Sequence, residues 1–320
     1  MEVYRSLDEA HAAGALRGGA VAIGNFDGVH LGHQKLLETA RAWAASRISH
    51  AGVFTFEPHP VRVLRPQLAP PLVTPLPRKL ELLAASGVDA VVVQPFDRGY
   101  AATSAAEFVA RDLAGRLGVA DVVVGHDFTA GRERARVDAL RPLLERHRIS
   151  LHVVDPVTAD GLVVSSTKIR EFLLEGNVEA AALLLTRPYD VDGVVARGAG
   201  RGRGFGFATA NVETASLLPA NGVYVVRATL GGRAGPRGLE GGTVHGGVCN
   251  VGVKPTVEAG AGVVAEAHLL DFDGRDLYGT PIRLAFLARL RDERRFPSIE
   301  ALRAQIARDV AAARERLRAG

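Results

Sequence analysis

Two histidines, His30 and His33, stand at H-x-G-H spacing where the apolar run AVAIG gives way to NFDGVHLGHQKLL. An imidazole can donate a hydrogen bond to a phosphoryl oxygen at neutral pH. Gly32 between them lets backbone approach a ligand closely, and a helix starting here would present partial positive charge. Together these favour a phosphate chain. By themselves, two such histidines are better explained as a surface pair or a fragment of a metal site.

Three other segments could do chemistry. SSTKIR, residues 165–170, places Ser165, Ser166 and Thr167 where a helix begins, with Arg170 one turn inside. Hydroxyls there cap free backbone amides, and alone the segment is explained by a simple N-cap. RGAGRGRGFGFATAN, residues 197–211, alternates glycines 198, 200, 202, 204 and 206 ahead of Thr209 and Asn211. Such a loop can close its amides over phosphates, serve as a flexible turn, or contact RNA. Glu266 in VVAEAHLLDF is a carboxylate on a β-type run, a pattern that usually marks a solvated face.

The elements that must hold these residues divide into two sets. From Ala20 to about Val154, short apolar runs (AVAIG, AGVFTF, AVVVQ, DVVVG, SLHVV) alternate with helical stretches 34–45, 78–85, 105–117 and 138–146. That is the pattern of a parallel sheet wrapped by helices, whose strand ends gather ligand-binding groups. Two further helices are expected around IREFLLEG and VEAAALLL. After Arg187 and Pro188, glycine-punctuated β runs take over, predicting a small antiparallel barrel closed by a helix over 299–317. The expected boundary separates an α/β domain, 1–186, from a β-barrel domain, 187–320. Residues 231–242 read as a flexible loop. Cys249 is expected to be buried packing, and Trp43 to face inward from the first long helix.

Composition narrows the classes. The 320 residues are 47% hydrophobic, enough to build two ordinary cores. One cysteine excludes a disulfide framework or a Cys-based zinc site within the chain and suits a reducing compartment. The start of the chain lacks the basic and apolar pattern of a secretory leader, and no run of about 18 apolar residues occurs. A cytoplasmic protein with no membrane partner is expected. The formal charge of +4 is a small excess, with few aromatic residues for base stacking. It suits polyphosphate substrates and is weak support for nucleic acid.

GNFDGVHLGHQ resembles the nucleotidyltransferase signature of the bacterial bifunctional riboflavin kinase and FAD synthetase family. TFEPHP (55–60), TPLPRKLELL (74–83), VVVGHDF (122–128) and SSTKIREFLLEGNVEAA (165–181) follow in that family's order. The resemblance implies a Rossmann-like domain that adenylylates FMN to FAD and a barrel that phosphorylates riboflavin to FMN, both with ATP and magnesium. In the first site it implies catalytic roles for His30, His33 and Arg170, with ATP or flavin bound by Gly24, Phe26, Asp27, Gly32, Ser165, Ser166 and Thr167. Asp127 matches a position lining this site and is equally well explained as a strand-end turn.

In the second site, the resemblance gives Gly198, Gly204 and Gly206 to the phosphate loop and Thr209 and Asn211 to magnesium. It makes Glu266 the base that takes a proton from the ribityl hydroxyl, and it puts Arg291, in RDERRF, on the substrate side. Two residues depart from the family pattern. Ala130 stands where a phenylalanine is usual, which bears on adenylylation affinity. Ala208 replaces the proline of a P-T-A-N motif, which should loosen the metal site without deleting a ligand. A chain retaining one activity only, and a flavin- or RNA-binding regulator using the RGAGRGRG loop, are the alternatives. Oligomeric state is not readable from the residues.

Overall fold

A computed structural model describes residues 1–196, 209–235, 238–254 and 262–319. The chain forms two compact units, Met1–Pro71 with Leu76–Val164, and Leu72–Pro75 with Ser165–Gly320.

The first unit is built on a six-stranded sheet. Its strands are β1 (Glu2–Tyr4), β2 (Ala20–Ile23), β3 (Ala51–Glu57), β4 (Ala90–Pro95), β5 (Asp121–Gly125) and β6 (Ser150–Val154). All pair in parallel, in the order β1-β4-β3-β2-β5-β6. β2, the first five residues of β3 and the first four of β4 are wholly buried. Helices cover both faces of such a sheet, which explains why these strands read as unbroken apolar runs and not as alternating ones.

The main helices of this unit are α1 (Leu7–Ala13), α2 (Leu31–Ser46), α3 (Leu76–Ala85) and α4 (Val137–Arg146). The segment expected as one helix over 105–117 opens with a helical turn at Ala105–Glu107, under a Ser104 capping box, and continues as a π-helix from Phe108 to Leu117. The chain runs from β2 outward to β3 and β4, then returns to place β5 on the other side of β2. The switch point therefore lies between β2 and β5, at their carboxyl ends.

Trp43 departs from the expectation. It is 40% exposed and stacks on His152 of β6, with ring centroids 4.1 Å apart. The inward face of α2 is formed by Leu36, Leu37, Ala40 and Ala44 instead.

The second unit carries α5 (Ser166–Glu175), α6 (Val178–Leu185) and a closed barrel. The barrel strands are β7 (Tyr189–Ala196), β8 (Thr209–Glu213), β9 (Gly222–Leu230), β10 (Thr243–Lys254), β11 (Gly262–Leu269) and β12 (Pro281–Arg291). They are ordered β7-β8-β11-β10-β9-β12, with β12 closing on β7. Every neighbouring pair is antiparallel. Tyr189, Tyr224 and Phe286 fill the interior, Tyr224 meeting Phe286 edge-on at 5.5 Å. Each such buried ring contributes about 1.5–3 kcal/mol by area.

Cys249 is fully buried, and burial pushes its thiol pKa up, as expected of packing and not of a nucleophile. The terminal helix α7 (Ile299–Ala319) lays Ala313 against Val223, Val225, Val248 and Ala288. Within 231–242, read above as a loop, residues 233–235 and 238–240 pair as a short hairpin.

Candidate active sites

In the first unit, the site grows from the end of β2. Gly24 still donates from its amide to Phe54 at 3.2 Å, after which the chain turns away through Phe26 (φ 50°), Gly28 (φ 93°) and Val29 (φ 42°). A phenylalanine and a valine in the left-handed region are costly, and such backbone is kept where surrounding structure over-determines it, commonly at functional sites. The turn buries Phe26 completely among core residues and leaves Asp27 only 1% exposed. It delivers His30 as the N-cap of α2.

The His30 Nδ1 accepts a hydrogen bond from the His33 amide at 3.3 Å. With Nδ1 an acceptor, the neutral ring carries its proton on Nε2. The two imidazoles stack at 3.6 Å between centroids, and a side chain on Gly32 would come within 3.3 Å of the His30 ring. Burial, then His30, then Lys79 hold the His33 pKa well below the ordinary histidine value. Among the described residues its buried Nδ1 has no hydrogen-bond partner.

Lys79 was not singled out in the sequence. It sits on α3 at 2% exposure, its pKa lowered by burial against the opposing pull of Asp27 and Glu57. Its only sequence signal is a lysine on the apolar stripe of an amphipathic helix, where lysine is seldom fully buried.

Asp127 lies exposed just beyond β5, its carboxylate 3.2 Å from where a Gly125 Cβ would stand. Ala130 is buried against the core that includes Phe108 and Ala105, so the departure from the family's phenylalanine is taken up inside packing. Ser165, Ser166, Thr167 and Arg170 begin α5 and belong to the second unit. Ser165 is a true N-cap, accepting from the Lys168 amide at 3.1 Å.

In the barrel, strand register does what spacing could not show. Asn211 of β8 pairs with Glu266 of β11, and Glu266 pairs on its other side with Asn250 of β10. Directly opposed residues share a sheet face, so the three side chains form a polar row. Their neighbours Ala210, Ala265, Ala267 and Cys249 fill the buried face. Thr209, two residues from Asn211, shares that row's face opposite His268. The row extends to Glu293, which accepts from Asn250 Nδ2 at 3.3 Å and covers Gly252 so closely that a Cβ there would stand 2.5 Å from its Oε1.

Asn250 was missed in the sequence because only the register of β10 on β11 brings it to Glu266, and Glu293, beyond the end of β12, joins the row only through Asn250. Arg291 grips Asp309 of α7 through Nε and Nη2 at 2.8–3.1 Å, so its guanidinium anchors the terminal helix. Gly198, Gly204, Gly206 and Ala208 lie outside the described residues.

The FAD synthetase family model matches residues 13–168, and the riboflavin kinase family model matches residues 185–317. A bifunctional riboflavin kinase/FMN adenylyltransferase of Pseudomonas fluorescens is 39% identical over 300 residues, 93% of each chain. The chain belongs to the bifunctional riboflavin kinase/FMN adenylyltransferase family. The Bacillus subtilis (strain 168) member is 36% identical over 90% of this chain and 89% of its own. A solved structure titled a macrolide-efflux protein from Streptococcus pneumoniae has a TM-score of 0.81 and 28% identity, covering 93% of this chain and 94% of that one. Among the described residues of this family member, no helix is long and apolar enough to cross a membrane.

Proposed function

We propose that the chain performs both reactions of its family: ATP-dependent phosphorylation of riboflavin to FMN, and adenylyl transfer from ATP to FMN giving FAD and pyrophosphate. Residues 1–186 are assigned to adenylyl transfer and 187–320 to the kinase, supported by the ranges of the two family matches. The observation that carries the reading is the presence of two unlike polar constellations, one in each compact unit. A stacked histidine pair lies at a sheet switch point, and a carboxylate flanked by amides lies on a barrel wall.

Adenylyl transfer starts from the phosphate of FMN, an anion at neutral pH, so the protein supplies positioning and charge stabilisation and needs no base. His30 offers its Nε2–H to phosphoryl oxygen, and His33 stands stacked behind it. Ser165, Ser166 and Thr167 bind ATP phosphates, and Arg170 neutralises charge as pyrophosphate leaves, on the strength of the family resemblance.

Phosphorylation of riboflavin starts from a neutral hydroxyl. Glu266 takes that proton, oriented by the amides of Asn211 and Asn250. Thr209 and Asn211 present a hydroxyl and an amide oxygen on one strand face, a hard-oxygen donor set that suits Mg²⁺ held jointly with nucleotide phosphates. When bound, the ion would neutralise phosphate charge. Riboflavin, FMN and ATP are the substrates in this reading, which invokes neither nucleic acid nor membrane and places the enzyme in the cytoplasm.

The test is His30→Ala supplied with riboflavin, ATP and Mg²⁺. FMN should accumulate while FAD formation stalls; FAD at the parental rate would remove His30 from the site.

A further inference from the structure

Gly252 stands in the interior of β10, where a residue without a side chain weakens a strand and often marks a close approach. Its φ lies outside the left-handed region, so the backbone itself does not call for glycine. What approaches is the carboxylate of Glu293. A Cβ on Gly252 would stand 2.5 Å from Oε1 and 3.1 Å from both Cδ and Oε2. The same Oε1 accepts from Asn250 Nδ2 at 3.3 Å. A glutamate beyond the end of β12 thus rests on Asn250 and Gly252, which share one face of β10.

Holding an exposed glutamate in one place costs side-chain entropy, and its chain neighbours supply the restraint. Arg291, before it, is fastened to Asp309 of α7 at 2.8–3.1 Å, and Asp309 also accepts from Gln305 Nε2 at 2.7 Å. Arg294, after it, donates from Nη2 to Gln305 and lies 4.8 Å over the Phe296 ring. The terminal helix therefore grips the chain on both sides of Glu293. That helix packs on Val223 of β9, the residue opposite Asn250. On its other side Asn250 lies opposite Glu266. A carboxylate only accepts, so Asn250 must turn its nitrogen to Glu293, and that fixes which way its amide is set.

We infer that Glu293 is a positioning residue for riboflavin phosphorylation: it fixes the amide of Asn250, which in turn orients Glu266. The inference rests on the reading of Glu266 as the base. Glu293 acts through Asn250, so its loss leaves substrate binding in place and misaims the proton acceptor. That lowers kcat and leaves KM alone. Gly252 belongs to the same arrangement, because any side chain there pushes the carboxylate off Asn250.

The experiment measures kcat and KM for riboflavin phosphorylation, with a melting midpoint for each protein. Full-length parent, Glu293→Ala, Glu293→Gln, Gly252→Ala and Asn250→Ala are compared, together with Asn250→Ala combined with Glu293→Ala. Glu293→Ala should lower kcat about tenfold or more at unchanged riboflavin KM. Glu293→Gln, which keeps an oxygen for Asn250 Nδ2, should recover most of that loss. Gly252→Ala should reproduce the loss with Glu293 still in the chain. In the Asn250→Ala background, Glu293→Ala should cost nothing further. Parental kcat in Glu293→Ala overturns the inference, as does a loss that Glu293→Gln fails to recover or one repeated in full without Asn250. A raised riboflavin KM at unchanged kcat also overturns it, by making Glu293 a substrate contact. If Glu266→Gln phosphorylates riboflavin at the parental rate, the base assignment itself falls, an outcome read independently of Glu293.

Discussion

Replacing Glu266 by glutamine isolates the chemistry of the barrel site from its architecture. Glutamine has the shape of glutamate and can still accept from an amide neighbour, and the residue lies in register with Asn211 and Asn250 while Ala265 and Ala267 beside it fill the buried face. The strand pairing and the core below it should therefore survive. On the proposed assignment, what is lost is the ability to take a proton from the ribityl hydroxyl. A positioned general base contributes about 10²–10⁴ in rate. At about 1.36 kcal/mol per tenfold, that is roughly 3–5.5 kcal/mol on the barrier to phosphoryl transfer. The assay supplies riboflavin, ATP and Mg²⁺ and separates flavins by chromatography, then repeats the measurement with FMN in place of riboflavin. FMN formation should fall by two to four orders of magnitude, with conversion of FMN to FAD unchanged. A riboflavin phosphorylation rate within a few-fold of the parent would show that Glu266 is not the base. Loss of both activities together would contradict separate sites.

Two stability predictions follow from backbone strain and burial. Ile48 is 98% exposed at φ 52°, a β-branched residue in the left-handed region. Ile48→Asn should stabilise the first unit by about 1 kcal/mol, the penalty for left-handed backbone being about 1–2 kcal/mol and asparagine tolerating it better. Trp43, the sole tryptophan, stacks on His152 in that unit and reports its unfolding in urea; an unchanged or lower midpoint would contradict the strain argument. Tyr224 is buried in the barrel, donates to the Ala220 carbonyl at 2.5 Å, and has its pKa pushed up to about 12 by burial. Tyr224→Phe should cost about 1 kcal/mol at neutral pH. Because the folded-state pKa is raised, the Tyr224 contribution is complete below about pH 10 and is lost as pH rises through 12. The variant should therefore lose less stability than the parent between those values; parallel losses in circular dichroism-monitored urea melts would refute the assignment.

Much of the fold was legible because local and global preferences agree. Runs such as AVVV and DVVVG are β-branched along their length, and only a strand buried on both faces demands that. What escaped had weaker local signals. β1 is three residues long, and β8, TANVE, was read as the end of a glycine-rich loop; pairing with β7 and β11 makes it a strand. Trp43 was placed inward because three-residue spacing from Ala40 does not distinguish the edge of an apolar stripe from its centre. Its partner, His152, comes from a strand over a hundred residues away. The histidine pair announced itself by spacing, whereas Lys79 and Asn250 did not. The chemical meaning of each comes from charges or strands distant in sequence, which periodicity cannot encode.

The most direct test of the account follows labelled riboflavin incubated with the purified protein, ATP and Mg²⁺. FMN should appear first and FAD after it, with ADP formed in the first step and pyrophosphate in the second. Riboflavin recovered unchanged would contradict the kinase site on the barrel, and FMN that never proceeds to FAD would contradict the site at the end of β2.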